Sequence, residues 1–358
     1  MKRIILAVMN DVLIYGAYGY TGKLIVEEAV AKGWKPTVAG RNAELVKTLA
    51  NQYDLPYEVF VHSDQNGWDK ALANKKLLLN CAGPFSLTIK EILPACIRNK
   101  THYTDITGEI EVFEYIQSYD KQAKDMGITL LPGTGFDVVP TDCLAKYLSE
   151  KMPNATHLEL AFESNSGLSR GTAMSVLNRF HQGSAIRTNG VITEQQTASV
   201  NKILRFQGKE RNVVGIAWGD VFTAFVTTGI PNIQVFTGMP VKMMNAMRRA
   251  SKWSWLIKSA IMQRIGRYLI REKIVGPSQE KRESLKTYLY GRVWDKKGNE
   301  VVAEMATPES YKLTAIMSVI CAEKVLNGES EPGFQTPAGA FGPELITQVD
   351  GVAITWHQ

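Results

Sequence analysis

Short apolar runs alternate with amphipathic stretches along the first third of the chain. Val12–Tyr15, Thr37–Ala39, Tyr57–Val61, Leu77–Asn80, Tyr103–Thr104 and Ile128–Leu131 read as strands. Leu24–Ala31, Ala43–Gln52 and Ile89–Asn99 carry helical spacing between them. Parallel neighbours in a sheet need a crossover, and a helix is the usual one. The rhythm therefore predicts an α/β domain, a doubly wound parallel sheet with helices on both faces.

Past Pro153 the pattern changes. Leu158, Leu160 and Phe162 alternate onto one face of His157–Glu163. Val213–Trp218, Val221–Thr227 and Ile233–Thr237 follow in quick succession and are expected as strands. Tyr288–Trp294 and Glu300–Met305 flank Asp295–Asn299, whose Gly298 suits a hairpin turn. Gly171–Phe180, Pro240–Arg271 and Pro308–Asn327 are expected as helices. The reading is a first domain over residues 1–150 and a second, α+β domain over 151–307, built on a mainly antiparallel sheet. The second domain would serve substrate binding or dimerisation, and residues 308–358 would pack back on the first.

Composition bounds the function. With 358 residues, 45% of them hydrophobic and 21% charged, the chain can bury a large core without staples. Cys81, Cys96, Cys143 and Cys321 form no C-x-x-C pair, which argues against a zinc ribbon, a redox dithiol or a secreted disulfide framework. A reducing cytoplasm is the expected location. Lys2 and Arg3 precede an apolar run, Ile4–Met9, too short for a signal sequence; it reads as an extension leading into the first strand. The histidines, His62, His102, His157, His181 and His357, lack ligand spacing, so no metal site is proposed. No G-x-S-x-G elbow occurs.

The net charge of +6 is unevenly spread. Nine Lys/Arg and one acid, Glu272, lie between Lys242 and Lys273, giving that segment +8 and leaving the remainder near −2. A charge confined to one segment is no nucleic-acid signature.

The most specific signal is Gly16-Ala-Tyr-Gly-Tyr-Thr-Gly22, directly after an apolar strand and opening a helix. Gly16 permits a sharp exit from the strand. Gly19 lets the backbone approach a pyrophosphate, and Gly22 lets the helix lie close to the sheet. Tyr18, Tyr20 and Thr21 fall in the same turn, and Thr21 adds a hydroxyl donor. The helix start then offers free amides and a positive dipole to an anion. A plain tight turn is the competing reading. Positions 39–42, Ala-Gly-Arg-Asn, hold no acid for a ribose 2′-hydroxyl but do hold Arg41, which suits a 2′-phosphate. NADP(H) is favoured over NAD(H). A second small-residue turn, Asn80-Cys-Ala-Gly-Pro84, would bring Asn80, Ala82, Gly83 and Pro84 beside the cofactor.

These segments, with Tyr103-Thr-Asp-Ile-Thr-Gly-Glu109, Pro132-Gly-Thr-Gly-Phe-Asp-Val-Val-Pro-Thr-Asp142, Ser169-Arg-Gly-Thr-Ala-Met-Ser175 and Thr336-Pro-Ala338, run in order along the chain. Together they resemble the saccharopine-dehydrogenase-like oxidoreductases, particularly the branch of trans-acting enoyl reductases. The resemblance implies a Rossmann domain, an α+β domain inserted before a C-terminal helix, and NADP(H). It leaves open whether the substrate is an acyl/enoyl compound or an amino or keto acid.

If a nicotinamide carries the hydride, the protein must position it and manage a proton. Tyr103, Asp105 and Glu109 follow the fifth strand and Asp137 the sixth, where strand ends would face the nicotinamide. Tyr103, Asp105 and Asp137 are the candidate acids or bases; capping and turn formation are the alternative for the carboxylates. Ser169-Arg-Gly-Thr172 should open a helix, with Arg170 and Thr172 as candidate substrate contacts. Residues 241–274 mix cations with Met243, Met244, Met247, Trp253, Trp255, Leu256, Ile261, Ile265, Tyr268 and Leu269. Such a segment packs on its own sheet or a dimer partner, admits an acyl substrate, or makes peripheral contact with a membrane. A cofactor-binding scaffold without turnover is the competing class of function.

Overall fold

The computed structural model describes residues 10–180, 183–251, 253 and 259–357. The expected Ile4–Met9 extension lies outside these residues, as do His181, Trp255 and Leu256. The first unit runs β1 (Val12–Tyr15), α1 (Tyr20–Ala31), β2 (Thr37–Gly40), α2 (Ala43–Tyr53), β3 (Tyr57–Val59), α3 (Gln65–Leu72), β4 (Leu77–Asn80), α4 (Ile89–Asn99), β5 (His102–Asp105), α5 (Ile110–Gln117), α6 (Asp120–Met126), β6 (Thr129–Leu131) and α7 (Val139–Lys151). The second runs β7 (His157–Glu163), α8 (Arg170–Arg179), β8 (Ser184–Thr188), β9 (Val191–Gln195), β10 (Asn201–Phe206), β11 (Lys209–Gly215), α9 (Asp220–Thr228), β12 (Asn232–Gly238), α10 (Val241–Ser251), α11 (Ala260–Lys273), α12 (Gln279–Ser284), β13 (Lys286–Trp294) and β14 (Glu300–Pro308). The chain closes with α13 (Ser310–Leu326), β15 (Gly333–Phe334), α14 (Pro337–Phe341) and β16 (Ala353–His357).

The first sheet has seven parallel strands in the order β3-β2-β1-β4-β5-β6-β15. Strand order reverses between β1 and β4, which opens a crevice at the carboxyl ends of those strands. Val12, Leu13 and Ile14 in β1 and Leu77, Leu78 and Leu79 in β4 are wholly buried, as expected for strands covered on both faces. The second sheet has nine strands, antiparallel except for β7 beside β12. The C-terminal stretch divides: α13 packs on α1, β15 extends the first sheet, and β16 pairs with β14 of the second.

Three of the expected elements take another form. Val221–Thr227 is the body of helix α9, not a strand; β-branched and aromatic residues suit either state, and burial beside α7 decides for the helix. The strand expected at Val213–Trp218 ends at Gly215 and begins earlier, as β11. Among the described residues, the helix expected over Pro240–Arg271 is present as α10 and α11, with separate bounds.

Candidate functional site

Gly16 leaves β1 at φ +77°, in the left-handed region that glycine adopts most readily. A Cβ there would lie 2.8 Å from the Ala82 amide nitrogen, so the turns after β1 and β4 pass backbone to backbone. The Gly16 and Ala17 amides donate to the Ala39 carbonyl at 2.9 and 3.2 Å, fastening the turn to the end of β2. A Cβ on Gly22 would stand 2.4 Å from the Gly16 carbonyl oxygen, which seats α1 tightly over the turn. No side chain caps α1 and no acid lies in its first turn. Its leading amides and its dipole are thus left for an anion at the switch point. These residues fit a dinucleotide.

The flanking residues are placed differently from one another. Tyr18 lays its ring where a Cβ of Gly40 would fall, 2.5 Å from its Cε1, and forms a wall beside the end of β2. Arg41 is exposed there, and Asn42 caps α2 by accepting from the Leu45 amide at 3.0 Å. Thr21 is half-buried in the first turn of α1. The side chain of Tyr20 points elsewhere, a correction to its grouping with the cofactor contacts. Its hydroxyl donates to the Pro277 carbonyl at 2.7 Å and accepts from Arg282 at 3.0 Å. Its ring meets Tyr311 edge-on at 5.0 Å. Only its backbone remains in the cradle.

The second turn is held from beneath. Asn80 is fully buried; its Oδ1 accepts from the Ala82 amide at 3.0 Å and its Nδ2 donates to the Tyr103 hydroxyl at 3.2 Å. Asn80 therefore shapes the turn rather than facing a ligand, while Ala82 and Pro84 are half-buried and Gly83 exposed.

Tyr103 and Asp105 are likewise internal, which corrects the expectation that they exchange protons with substrate. Both are completely buried. The Tyr103 hydroxyl donates to Asp105 Oδ2 at 2.7 Å, and Asp105 Oδ1 accepts from the Thr107 and Gly133 amides at 3.0 and 2.9 Å. Burial pushes the Asp105 carboxyl up to about 6, partly offset by those amides, and drives the Tyr103 hydroxyl well above its ordinary value. The Asn80–Tyr103–Asp105 chain is a strut joining the ends of β4, β5 and β6.

Asp137 occupies a different setting. It is half-buried in the turn before α7, beside Gly108, where a Cβ would lie 2.9 Å from its Oδ2. Burial pushes its carboxyl up to about 7; the Glu109 charge adds to the rise and Arg179 opposes it. Glu109 is itself buried, accepting from the Phe85 and Ser86 amides at 3.1 and 3.0 Å and from the Ser175 hydroxyl at 3.1 Å. Arg179 lies 3.4 Å from Glu111. Tyr311 completes the wall: its hydroxyl accepts from the Ser169 amide at 2.6 Å and lies 3.0 Å from that of Thr172. Asp137, Glu109, Ser175, Arg179, Thr172 and Tyr311 thus converge from both units. Ser175, Arg179 and Tyr311 were not singled out in the sequence, since they lie far along the chain from the glycine turns.

Arg170 does not join this group. It is exposed and its Nε donates to the Ile274 carbonyl at 2.6 Å, tying α8 to the segment that follows α11. The start of α8 is already capped by Ser169, which accepts from the Thr172 amide at 3.2 Å. Among the described residues, no three His, Cys, Asp or Glu side chains gather as a metal site.

The fold and the cradle define a Rossmann-type dinucleotide-binding domain joined to an α+β domain. Residues 12–131 match the saccharopine dehydrogenase NADP binding domain, a similarity that fits a nicotinamide dinucleotide as the cofactor. A probable mitochondrial saccharopine dehydrogenase-like oxidoreductase of Arabidopsis thaliana is 30% identical over 43% of this chain and 39% of its own length. The human saccharopine dehydrogenase-like oxidoreductase is 28% identical over 39% of this chain and 37% of its own length. A trans-acting enoyl reductase of Mycobacterium tuberculosis is 30% identical over 37% of this chain and 34% of its own length. The matched stretch thus spans under two-fifths of these relatives. Yeast saccharopine dehydrogenase (L-Glu forming) shares the fold over 98% of this chain and 100% of its own, with a TM-score of 0.67 at 13% identity.

Proposed function

We propose that this protein is an NADP(H)-dependent oxidoreductase in which Asp137 exchanges a proton with a substrate held against α8. The observation that carries the reading is the position of Asp137. It is the candidate acid that stays partly accessible, in the turn between β6 and α7, and burial pushes its carboxyl up to about 7. A group of that acidity can donate and accept near neutral pH. When bound, the nicotinamide supplies or takes up the hydride.

The chain's own residues do the rest. The α1 amides take the pyrophosphate, and Arg41 at the end of β2 takes the 2′-phosphate that distinguishes NADP(H). Glu109 fixes the 85–86 turn and α8 relative to each other through Phe85, Ser86 and Ser175. Thr172 and Tyr311 present hydroxyls on the facing wall. This set suits reduction or oxidation at a carbonyl, imine or enoyl carbon. An acyl/enoyl compound and an amino or keto acid are the two substrate classes, in line with the enoyl reductase and the saccharopine dehydrogenase that the chain resembles.

The test is a screen of enoyl thioesters, imines and amino acids for change in reduced-nicotinamide absorbance. Turnover that Asp137→Asn lowers without loss of NADPH binding supports the proposal. Tight NADPH binding with no turnover on any class contradicts it.

A further inference from the structure

We propose that α11 is a docking face for an anionic lipid surface, a role separate from the redox reading. α11 is 14 residues long and buries none of them. It touches the body through a narrow seam. Gln263, Gly266 and Ile270 are its half-buried positions, spaced to face one neighbour. A Cβ on Gly266 would lie 2.7 Å from Leu177 Cδ2 on α8, and Gln263 Nε2 donates to the Leu177 carbonyl at 3.4 Å.

Apart from Ile270, the large apolar residues of α11 are not in that seam. Ile261, Ile265, Tyr268 and Leu269 are 73%, 46%, 63% and 44% exposed. Their spacing of four, three and one places them within one arc of about 100°, turned away from Gly266. A soluble helix normally turns such an arc inward. Arg264, Arg267 and Arg271 lie in a row along one border of the arc, between it and the seam, and Lys273 lies on the other border. Glu272, the helix's one acid, lies in line with the arc at its C-terminal end, one turn beyond Tyr268 and Leu269, so the apolar surface is confined to residues 261–269.

An apolar arc bordered by arginines matches the layering of acyl chains beneath anionic headgroups. The side chains enter the boundary, and the guanidinium groups stay at headgroup level. A second copy of the chain fits worse. An antiparallel two-fold contact through α11 would set each arginine row against its own copy, and a parallel one would set it against Lys273. Since α8 also carries Thr172 and Ser175, the docked surface would sit one helix layer from the crevice.

The test is co-sedimentation of the full chain with phosphatidylcholine vesicles, with and without phosphatidylglycerol. The expected result is retention on the anionic vesicles only, weakened by added salt. Arg264→Gln, Arg267→Gln and Arg271→Gln should each weaken it about fivefold. Ile265→Asp should abolish retention while leaving the circular-dichroism melt and NADPH binding unchanged. Equal retention on both vesicle types would overturn the proposal, as would no retention on either. So would a dimer in light scattering that Ile265→Asp dissociates without any vesicle binding.

Discussion

The Tyr20 hydroxyl donates to the Pro277 carbonyl at 2.7 Å while accepting from Arg282 at 3.0 Å. Tyr20 opens the helix whose amides face the cofactor, and Pro277 follows the segment that Arg170 holds through Ile274. The first turn of α1 is thus bonded to a strap of the second unit. Tyr20→Phe removes both bonds and keeps the ring on Tyr311. Each bond of this kind contributes about 1 kcal/mol net, so the variant should unfold about 1–2 kcal/mol more easily in urea. An unchanged midpoint would mean the strap contributes nothing to the union of the two units.

Arg41 makes a prediction about cofactor choice. It stands exposed at the end of β2 with no acid among positions 39–42. Arg41→Ala should weaken NADPH binding on the order of 10- to 100-fold, the value of one charge-assisted phosphate contact, and leave NADH binding nearly unchanged. Equal weakening of both would show that Arg41 does not read the 2′-phosphate.

Asp137 makes a prediction about rate and pH. Acting as a donor, it should give a descending limb in the reduction rate centred near pH 7, where its carboxyl loses its proton. Asp137→Asn should remove that limb and lower kcat by roughly 10²- to 10⁴-fold, with NADPH affinity held. A limb that survives the substitution belongs to another group.

Stability should also depend on pH. Burial raises Asp105 and Asp142 to about 6 and Asp137 to about 7, from an ordinary 3.8. These carboxyls hold protons more tightly folded than unfolded. The stability they contribute is complete below about pH 4 and is lost as pH rises through 6 and 7. Asp220 belongs with them. It is fully buried, neither oxygen has a hydrogen-bond partner of good geometry, and burial raises it well above the ordinary value. The nearby Thr141 hydroxyl donates instead to the Val138 carbonyl at 3.0 Å. Asp220→Asn keeps the shape without an ionisable proton, so it should raise the urea midpoint more at pH 7.5 than at pH 5. An equal change at both values would show that Asp220 does not titrate on unfolding.

The parallel sheet and its glycine turn were legible because each requirement is local. An apolar strand, Gly16, Gly19 and Gly22 fall within a dozen residues, and each has a steric reason visible in the turn. The convergent wall was not legible, since Glu109, Asp137, Ser175 and Tyr311 meet only through the packing of α8 and α13 on the first unit. Tyr103 and Asp105 show why position at a strand end misleads. Asn80, on the neighbouring strand, draws both into an internal chain. Val221–Thr227 carries residues that suit either secondary structure, and only its place beside α7 makes it helical. β9 and β10 alternate weakly and are largely exposed, so no apolar pattern announced them. In the basic segment, Met244 turns inward on α10, whereas Met262, Ile265 and Leu269 are exposed on α11.

The account stands on the turn between β1 and α1 receiving a dinucleotide pyrophosphate, and Gly19 tests that most directly. A Cβ at Gly19 would approach the Gly16 carbonyl at 3.2 Å, a contact that a few tenths of an ångström relieve, so Gly19→Ala should still fold. Titration of NADPH fluorescence should show binding to the wild type and a loss on the order of 100-fold in Gly19→Ala, because the added methyl stands where the phosphate must approach. Equal affinity in the two proteins, with melting curves unchanged, would contradict the account.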